Sequence, residues 1–316
     1  MRKGTAAILA LVLTMGCFTA CNNTTPTTVD QFASQFEFTD ATSSAASTAA
    51  QSTVATTTAE TEPFKGYKIV NVYLNGNLLA VRYYDTMGNM TREKYLGDEG
   101  YTANFEFDAN GNLIKDTKQD VEGVMLTSHV YEYDAAGNCT KKTFVNADGS
   151  MGVSHIYGFD ASGFLVLDTE TQPDGSVTQT VGYENDAYGN PVKQIQRDAA
   201  GDTYEVKHEY EYDSFGNITK NTLYRGGDLN GWLENEYDAK GRLISEKDIA
   251  PDGSVRSWIA YDYTDEGYVN SQTNYKADGT IFQIIMYGYD SNGLAIETKY
   301  NAAGEIVEMY QFVYTY

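Results

Sequence analysis

Two kinds of residue in this sequence could bind a metal ion, and both recur at fixed places in a repeated phrase. Aspartate opens turns of the form Asp-x-x-Gly-Asn, as in Asp108 to Asn112. Carboxylate and amide oxygens are ligands that calcium prefers. Histidine occurs at His129, His155 and His208, each five residues before the phrase's aspartate position. Calcium at the turns, or a metal ion held between His129 and His155, would be the corresponding chemistry.

The aspartates have a second role that needs no metal. Calcium takes six or more oxygen ligands, and each turn supplies about two. Aspartate at the start of a turn hydrogen-bonds the backbone of that turn. We therefore expect structural turns, with no cofactor and no metal, and calcium as the alternative. The predicted turn residues are Asp108, Gly111, Asp134, Gly137, Asp160, Gly163, Asp213, Gly216, Asp238, Gly241, Asp290 and Gly293.

Trp232 and Trp258 are the candidate ligand-binding residues. They occupy one position of the repeat, and paired exposed aromatic rings can stack on sugar rings. The alternative is ordinary packing on the sheet. Serine is common, but no Gly-x-Ser-x-Gly stands beside a plausible triad, so we expect no catalytic residues and no enzymatic activity. Cys139 replaces a leucine of the other copies, which indicates a small buried side chain.

The elements that position these residues follow from the repeat. The phrase aromatic-acid-x-x-glycine occurs nine times, with its glycines 23 to 27 residues apart. Two copies are degenerate: Asn185 replaces the aromatic residue in one, and Thr264 replaces the acid in another. Each period contains two strand-length runs and two turns, the second turn reading Pro-Asp-Gly at Pro173. The pattern predicts an all-β fold, an extended antiparallel meander of about 18–20 short strands.

The strand before each aspartate has two distinct faces. One carries Tyr131 and Tyr133 and their counterparts, and we name it the aromatic face. The other carries Glu132 and its counterparts, and we name it the acidic face; Trp232 and Trp258 belong to it. The aromatic face is expected to be buried and the acidic face exposed. Because both faces are rather polar, we expect a thin sheet and not a thick two-layer core.

Turn chemistry sets the register between strands. A glycine bulge at Gly137 would place Tyr133 opposite Cys139, whereas a simple two-residue turn would place it opposite Asn138. The residue two positions after each glycine is usually apolar, which favours the bulge. This register also predicts that the stems of four lysines lie across tyrosine rings. They are Lys115, Lys141, Lys193 and Lys220.

The first residues describe an export signal: Arg2 and Lys3, a short apolar run, then small residues before a cysteine. Phe18 to Cys21 resembles a lipoprotein cleavage site, so Cys21 is the predicted lipidation residue and Cys17 the alternative. The predicted organisation is a signal peptide over 1–20, a disordered Thr/Ser/Ala-rich tether over 21–62 and a β-repeat domain over 63–316. The alternative is secretion without lipid.

Charge limits the partners. The formal net charge is −22, with 44 acidic and 22 basic residues. Such a chain is not expected to bind nucleic acid or an anionic membrane surface. Contact with the membrane is expected through the lipid anchor only, and the acidic surface favours a monomer.

The phrases Tyr131 to Asn138 and Tyr210 to Asn217 resemble the YD repeats of the bacterial Rhs family, which also occur in teneurins. The resemblance covers roughly residues 67 to 316. It implies a long antiparallel sheet, twisted or coiled as in Rhs shells, and exposure at the cell surface. In some family members it also implies carbohydrate binding or the enclosure of a toxin. The period here is longer than the usual unit.

These observations together predict a lipid-anchored, non-catalytic bacterial protein outside the cytoplasm, exposed at the cell surface and binding a glycan or a protein partner. One alternative is a structural spacer or stalk on the envelope. Another is a hydrolase that acts on cell-wall polymer.

Overall fold

The computed structural model describes residues 66 and 68–316, which form a single all-β sheet of 20 antiparallel strands. The strands are β1 (Ile69–Leu74), β2 (Asn77–Tyr84), β3 (Met90–Tyr95), β4 (Tyr101–Phe107), β5 (Leu113–Asp120), β6 (Met125–Tyr133), β7 (Cys139–Val145), β8 (Met151–Phe159), β9 (Leu165–Thr171), β10 (Val177–Asn185), β11 (Pro191–Asp198), β12 (Thr203–Tyr212), β13 (Ile218–Arg225), β14 (Asp228–Tyr237), β15 (Leu243–Ile249), β16 (Val255–Tyr263), β17 (Val269–Lys276), β18 (Ile281–Asp290), β19 (Gly293–Asn301) and β20 (Ile306–Thr315).

The meander closes on itself. Each strand pairs with the next one along the chain, and β20 pairs with β1, with Val70 opposite Tyr314. Away from this ladder, the Met309 amide donates a hydrogen bond of 2.9 Å to Asn75 Oδ1. The predicted all-β antiparallel meander is confirmed, and its closure into a barrel is more specific than the prediction. Closure leaves the sheet without an edge strand that could pair with another chain.

The buried residues lie in small groups within the wall. One group contains Val70, Val72, Ala80 and Tyr310, all on neighbouring strands. Twenty strands give a perimeter of about 125 Å at a spacing of about 4.8 Å and a tilt of about 40°. A circular section would then be about 40 Å across, too wide for side chains of opposite walls to meet. Apolar burial therefore depends on neighbouring strands, as expected for a thin sheet.

The turns have the geometry that the glycines predict. Gly137 has a φ of 89°, and its amide donates to the Asp134 carbonyl at 3.1 Å. The Asp134 amide donates to the Asn138 carbonyl at 3.0 Å, which closes a type I turn with a glycine bulge. Tyr133 consequently pairs with Cys139, so the bulge register is confirmed. Cys139 is buried, in agreement with its predicted packing role.

A second irregularity follows each turn and overturns one prediction. Tyr133 pairs with Cys139 but Glu132 pairs with Lys141, so Thr140 is an extra residue in β7. This bulge turns Lys141 onto the acidic face, where its Nζ lies 3.3 Å from Glu132 Oε1. The prediction that these lysines cross tyrosine rings of the aromatic face is therefore wrong. Lys115, Lys193 and Lys220 pair in the same way with Glu106, Glu184 and Glu211.

The predicted signal peptide, Cys17, Cys21 and the predicted tether lie outside the described residues. Within residues 66 and 68–316, no helix is long and apolar enough to span a membrane.

Candidate functional site

The turn aspartates use their carboxylates within their own turns. Asp134 Oδ1 accepts hydrogen bonds of 2.9 Å from the amides of Ala136 and Asn138, and Oδ2 accepts one from Asn138 Nδ2. The hydrogen bonds from Asn138 lower the pKa of Asp134. A calcium ion would have to compete with these donors. Comparable turn hydrogen bonds are made by Asp108, Asp160, Asp213, Asp238 and Asp290.

The three histidines lie on the aromatic face, but the structure does not bring them together. His129 Nδ1 is 3.0 Å from Asp116 Oδ1 on β5, and His155 Nδ1 is 3.1 Å from Asp168 Oδ1 on β9. Between His129 and His155 runs β7, whose Lys142 is directly opposite His155. No group of three or more His, Cys, Asp or Glu side chains is placed to hold a metal ion within the part of the chain that the structure describes.

The partners of the histidines belong to a row of polar side chains that the sequence reasoning missed. Eight members stand five residues after a turn glycine, and Glu297 stands four residues after Gly293. Each member faces residues of the aromatic face on the adjoining strands. We name this set the polar row. Its members are Glu93, Asp116, Lys142, Asp168, Gln194, Asn221, Glu246, Gln272 and Glu297. The signal was a polar residue at one position in every unit, hidden because simple alternation assigns it to the acidic face.

Four buried members of the polar row are hydrogen-bonded to neighbours on the same face: Glu93, Asp116, Asp168 and Asn221. Glu93 is 1% exposed; Arg82 Nε donates to Glu93 Oε2 at 2.7 Å, and the Tyr101 hydroxyl donates to Oε1 at 2.7 Å. Burial and the acceptor Glu93 together raise the pKa of Tyr101. Each oxygen of this buried carboxyl group therefore has a hydrogen-bond donor.

The histidine pKa values diverge because their row partners differ. Burial opposes charging of His155, but the hydrogen bond and charge of Asp168 and the charge of Glu170 outweigh burial and raise its pKa. His208 faces the neutral amide of Asn221, and burial lowers its pKa. The pKa values of two histidines at one repeat position are therefore shifted in opposite directions.

The tryptophans form the most distinctive part of the acidic face. Trp232 on β14 donates from Nε1 to Glu234 Oε1 at 2.8 Å, and Lys220 Nζ lies 5.1 Å from its ring centroid. Trp258 on β16 stacks on Tyr275 with a centroid distance of 3.6 Å and an interplanar angle of 0°. Both tryptophans are half-buried.

Between the tryptophans runs β15, where Lys247 is directly opposite both Glu234 and Trp258. We name the set Trp232, Glu234, Lys247, Trp258 and Tyr275 the tryptophan wall. The sequence identified its two tryptophans but not Tyr275 or the charged residues. The corresponding position is aromatic at Tyr224 and Tyr300 but holds Ile249 in the unit directly before, so the sequence contains only a partial signal for Tyr275.

No protein family profile and no curated protein sequence matches this chain. Among solved structures, it is similar to the crystal structure of TcdB2-TccC3-TEV, with 16% identity over 70% of this chain and a TM-score of 0.24. The chain spans only 15% of the length of that protein. It is also similar to porin-like proteins from Bacteroides uniformis ATCC 8492 and Bacteroides vulgatus ATCC 8482. The match to the first protein has 11% identity, covers 80% of this chain and 99% of the other, and has a TM-score of 0.33. The match to the second has 11% identity, covers 79% of this chain and 98% of the other, and has a TM-score of 0.31. At these TM-scores the matches identify neither a family nor an activity.

Proposed function

We propose that this chain is a non-catalytic cell-surface protein of the YD-repeat type whose tryptophan wall binds carbohydrate. A lipid on Cys21, or on Cys17 as the alternative, would hold it to the bacterial membrane on the extracytoplasmic side. The regular recurrence of the Tyr-Asp turn supports the repeat type, and the predicted export signal over residues 1–20 supports the location.

One observation carries the binding proposal: Trp258, stacked on Tyr275, shares a face with Trp232 and with two charged residues, Glu234 and Lys247. The apolar C–H faces of sugar rings pack on aromatic rings, while their hydroxyl groups need hydrogen-bond donors and acceptors. An indole ring offers a large, rigid contact surface at small entropic cost. Carboxylate and ammonium groups beside the rings supply the polar contacts.

The spacing favours an extended oligosaccharide over a monosaccharide. Trp232 and Trp258 flank β15, so their strands are about 10 Å apart across the sheet. One sugar ring could contact one tryptophan, and a chain of several rings could contact both. The net charge of −22 makes neutral glycans better partners than anionic ones.

The test is binding of the purified full chain to a glycan array, followed by calorimetry with the oligosaccharides that bind. The double variant Trp232→Ala/Trp258→Ala should lose at least about tenfold in affinity, because each aromatic platform contributes a kilocalorie or more. Phe215→Ala is the matched control, since Phe215 is an aromatic residue of a turn, 73% exposed and outside the wall. Equal binding by the wild type and the double variant would exclude the wall as the site.

A wild-type chain that binds no glycan while its circular dichroism shows a folded sheet would disprove carbohydrate binding and leave the structural spacer as the better function. The anchor is tested separately by palmitate labelling of Cys21→Ala. Loss of label is expected, and persistent label would assign the lipid to Cys17.

A further inference from the structure

Glu246 is the member of the polar row whose basic partner is missing. It lies on β15, is 4% exposed, and faces Asn235 on β14 and Ile259 on β16. The acids Glu93, Asp116 and Asp168 each contact an arginine or a histidine. At Glu246 the two corresponding histidine positions hold Leu233 and Ile259. The barrel therefore buries this carboxyl group without the basic partner that the other three acids have.

Asn235 has the complementary deficiency. It is 6% exposed, and its Nδ2 donates to the Ile218 carbonyl at 3.0 Å. Its Oδ1 is buried and accepts no hydrogen bond from any described residue. A buried acceptor left without a donor destabilises the folded state. A protonated Glu246, directly opposite, has the hydroxyl that would serve this oxygen, whereas an ionised Glu246 has only acceptors.

The surrounding charges disfavour an ionised Glu246. Asp248 follows on the same strand and face, and its carboxylate already accepts a hydrogen bond of 2.9 Å from Arg256 Nη1. Burial, followed by the charge of Asp248, raises the pKa of Glu246 to about 7.

The remaining titratable groups that face Glu246 do not supply a cation. Tyr237 on β14 and Tyr261 on β16 carry no positive charge in either protonation state, and burial raises the pKa of both hydroxyls further above the ordinary value of 10.0. Lys276 on β17 faces Ser257, which in turn faces Asp248 and not Glu246.

We propose that Glu246 and Asn235 form a proton-binding site on the aromatic face of the barrel. With the proton bound, Glu246 donates to Asn235 Oδ1 and ties β15 to β14. Loss of the proton leaves the buried Glu246 carboxylate next to Asn235 Oδ1, which then has no hydrogen-bond donor. The pairing of β14, β15 and β16 is weakened as a result. Because β14 and β16 carry Trp232 and Trp258 on their other face, alkaline conditions would also weaken ligand binding. That last consequence rests on the proposed function; the proton site does not.

The direct test is a ¹³C NMR titration of the glutamate carboxyls of the full chain, with Glu246 assigned by the signal missing in Glu246→Gln. Hydrogen exchange of β14 to β16 is compared between about pH 5.5 and about pH 8.5, after correction for intrinsic rates. We expect a midpoint of about 7 for Glu246 and a loss of protection in the wild type at the higher pH. Glu246→Gln should keep its protection at both pH values, since its amide donates to Asn235 Oδ1 without titrating.

A midpoint near 4.5, the ordinary glutamate value, or an unchanged pH dependence in Glu246→Gln would overturn the proposal. Glu93→Gln is the matched control, because Glu93 is equally buried but paired with Arg82; it should lose stability at every pH and keep the pH dependence. Glycan binding is measured in the same series. A proton site that titrates as expected in a chain that binds no glycan at either pH would uphold this inference and refute the proposed function.

Discussion

The Tyr133 hydroxyl donates a 2.7 Å hydrogen bond to the carbonyl oxygen of Leu113, 20 residues earlier in the chain. Pairing between β5 and β6 begins at Lys115, which is opposite Val130. The Leu113 carbonyl therefore lies outside the backbone pairing of these two strands. The same link joins Tyr237 to Ile218, Tyr263 to Leu243, Tyr289 to Val269 and Tyr314 to Leu294. Where Asn185 replaces the tyrosine, its Nδ2 donates to the Leu165 carbonyl at 2.8 Å. In these units the side chain before the turn therefore ties one unit to the preceding one.

Tyr263→Phe tests this link. The substitution keeps the ring and removes the 2.7 Å hydrogen bond to the Leu243 carbonyl. We expect the free energy of unfolding to fall by about 1 kcal/mol, measured by denaturant titration. Phe159→Tyr is the reciprocal control: its new hydroxyl would reach toward the Cys139 carbonyl, and stability should not fall. An unchanged free energy of unfolding in Tyr263→Phe would show that water hydrogen-bonds the Leu243 carbonyl equally well.

The turn glycines are needed for their backbone conformation and not for space. Gly163 has a φ of +84°, and no atom lies within 4 Å of the position that a Cβ would take, so Gly163→Ala creates no clash. Left-handed backbone still costs an alanine about 1–2 kcal/mol, which thermal or denaturant unfolding should detect. Gly182 lies inside β10, where a Cβ would also have nothing within 4 Å and the backbone has no left-handed φ. Gly182→Ala should be neutral or stabilising; equal losses at both sites would contradict this explanation.

The ion pairs of the two faces should differ in energetic weight. Arg82→Ala leaves Glu93, whose side chain is 2% exposed, without its cation, and we expect a loss of about 3–5 kcal/mol. Lys141→Ala breaks a pair whose side chains are 37% and 63% exposed, and we expect a loss below about 0.5 kcal/mol. Denaturant unfolding of the two variants gives the comparison. Equal losses in the two variants would contradict this difference between the buried and the exposed ion pair.

His155 and His208 should impose opposite pH dependences. The pKa of His155 is raised above the ordinary 6.5, so its stabilisation is complete below pH 6.5 and disappears as pH rises through the folded-state value. The pKa of His208 is lowered, so its site costs no stability above pH 6.5 and loses stability as pH falls below that value.

Proton NMR of the two imidazole rings should give one midpoint above 6.5 and one below it. The signals are assigned with His155→Gln and His208→Gln. His155→Gln should also flatten the loss of stability above pH 6.5. Identical midpoints would remove the distinction between an acidic partner, Asp168, and a neutral one, Asn221.

What the sequence determined by itself is local. Gly137 can adopt the left-handed conformation at no steric cost, and Asp134 caps the turn from within five residues, so each hairpin is specified by the residues it contains. Tyr133 opposite Cys139 follows directly from that turn. Strand number, antiparallel order and the assignment of Trp232 and Trp258 to the acidic face all derive from the same short-range rules.

Only the tertiary structure decided the features that depend on a neighbouring strand or on closure of the barrel. The extra residue Thr140 shifts the register by one place, and this moves Lys141 to the acidic face and brings Lys142 into the polar row. The stacking of Trp258 on Tyr275 joins two strands that each look ordinary alone. Closure depends on the twist accumulated over 20 strands, which no single repeat encodes, and it brings Val70 opposite Tyr314 from opposite ends of the sheet.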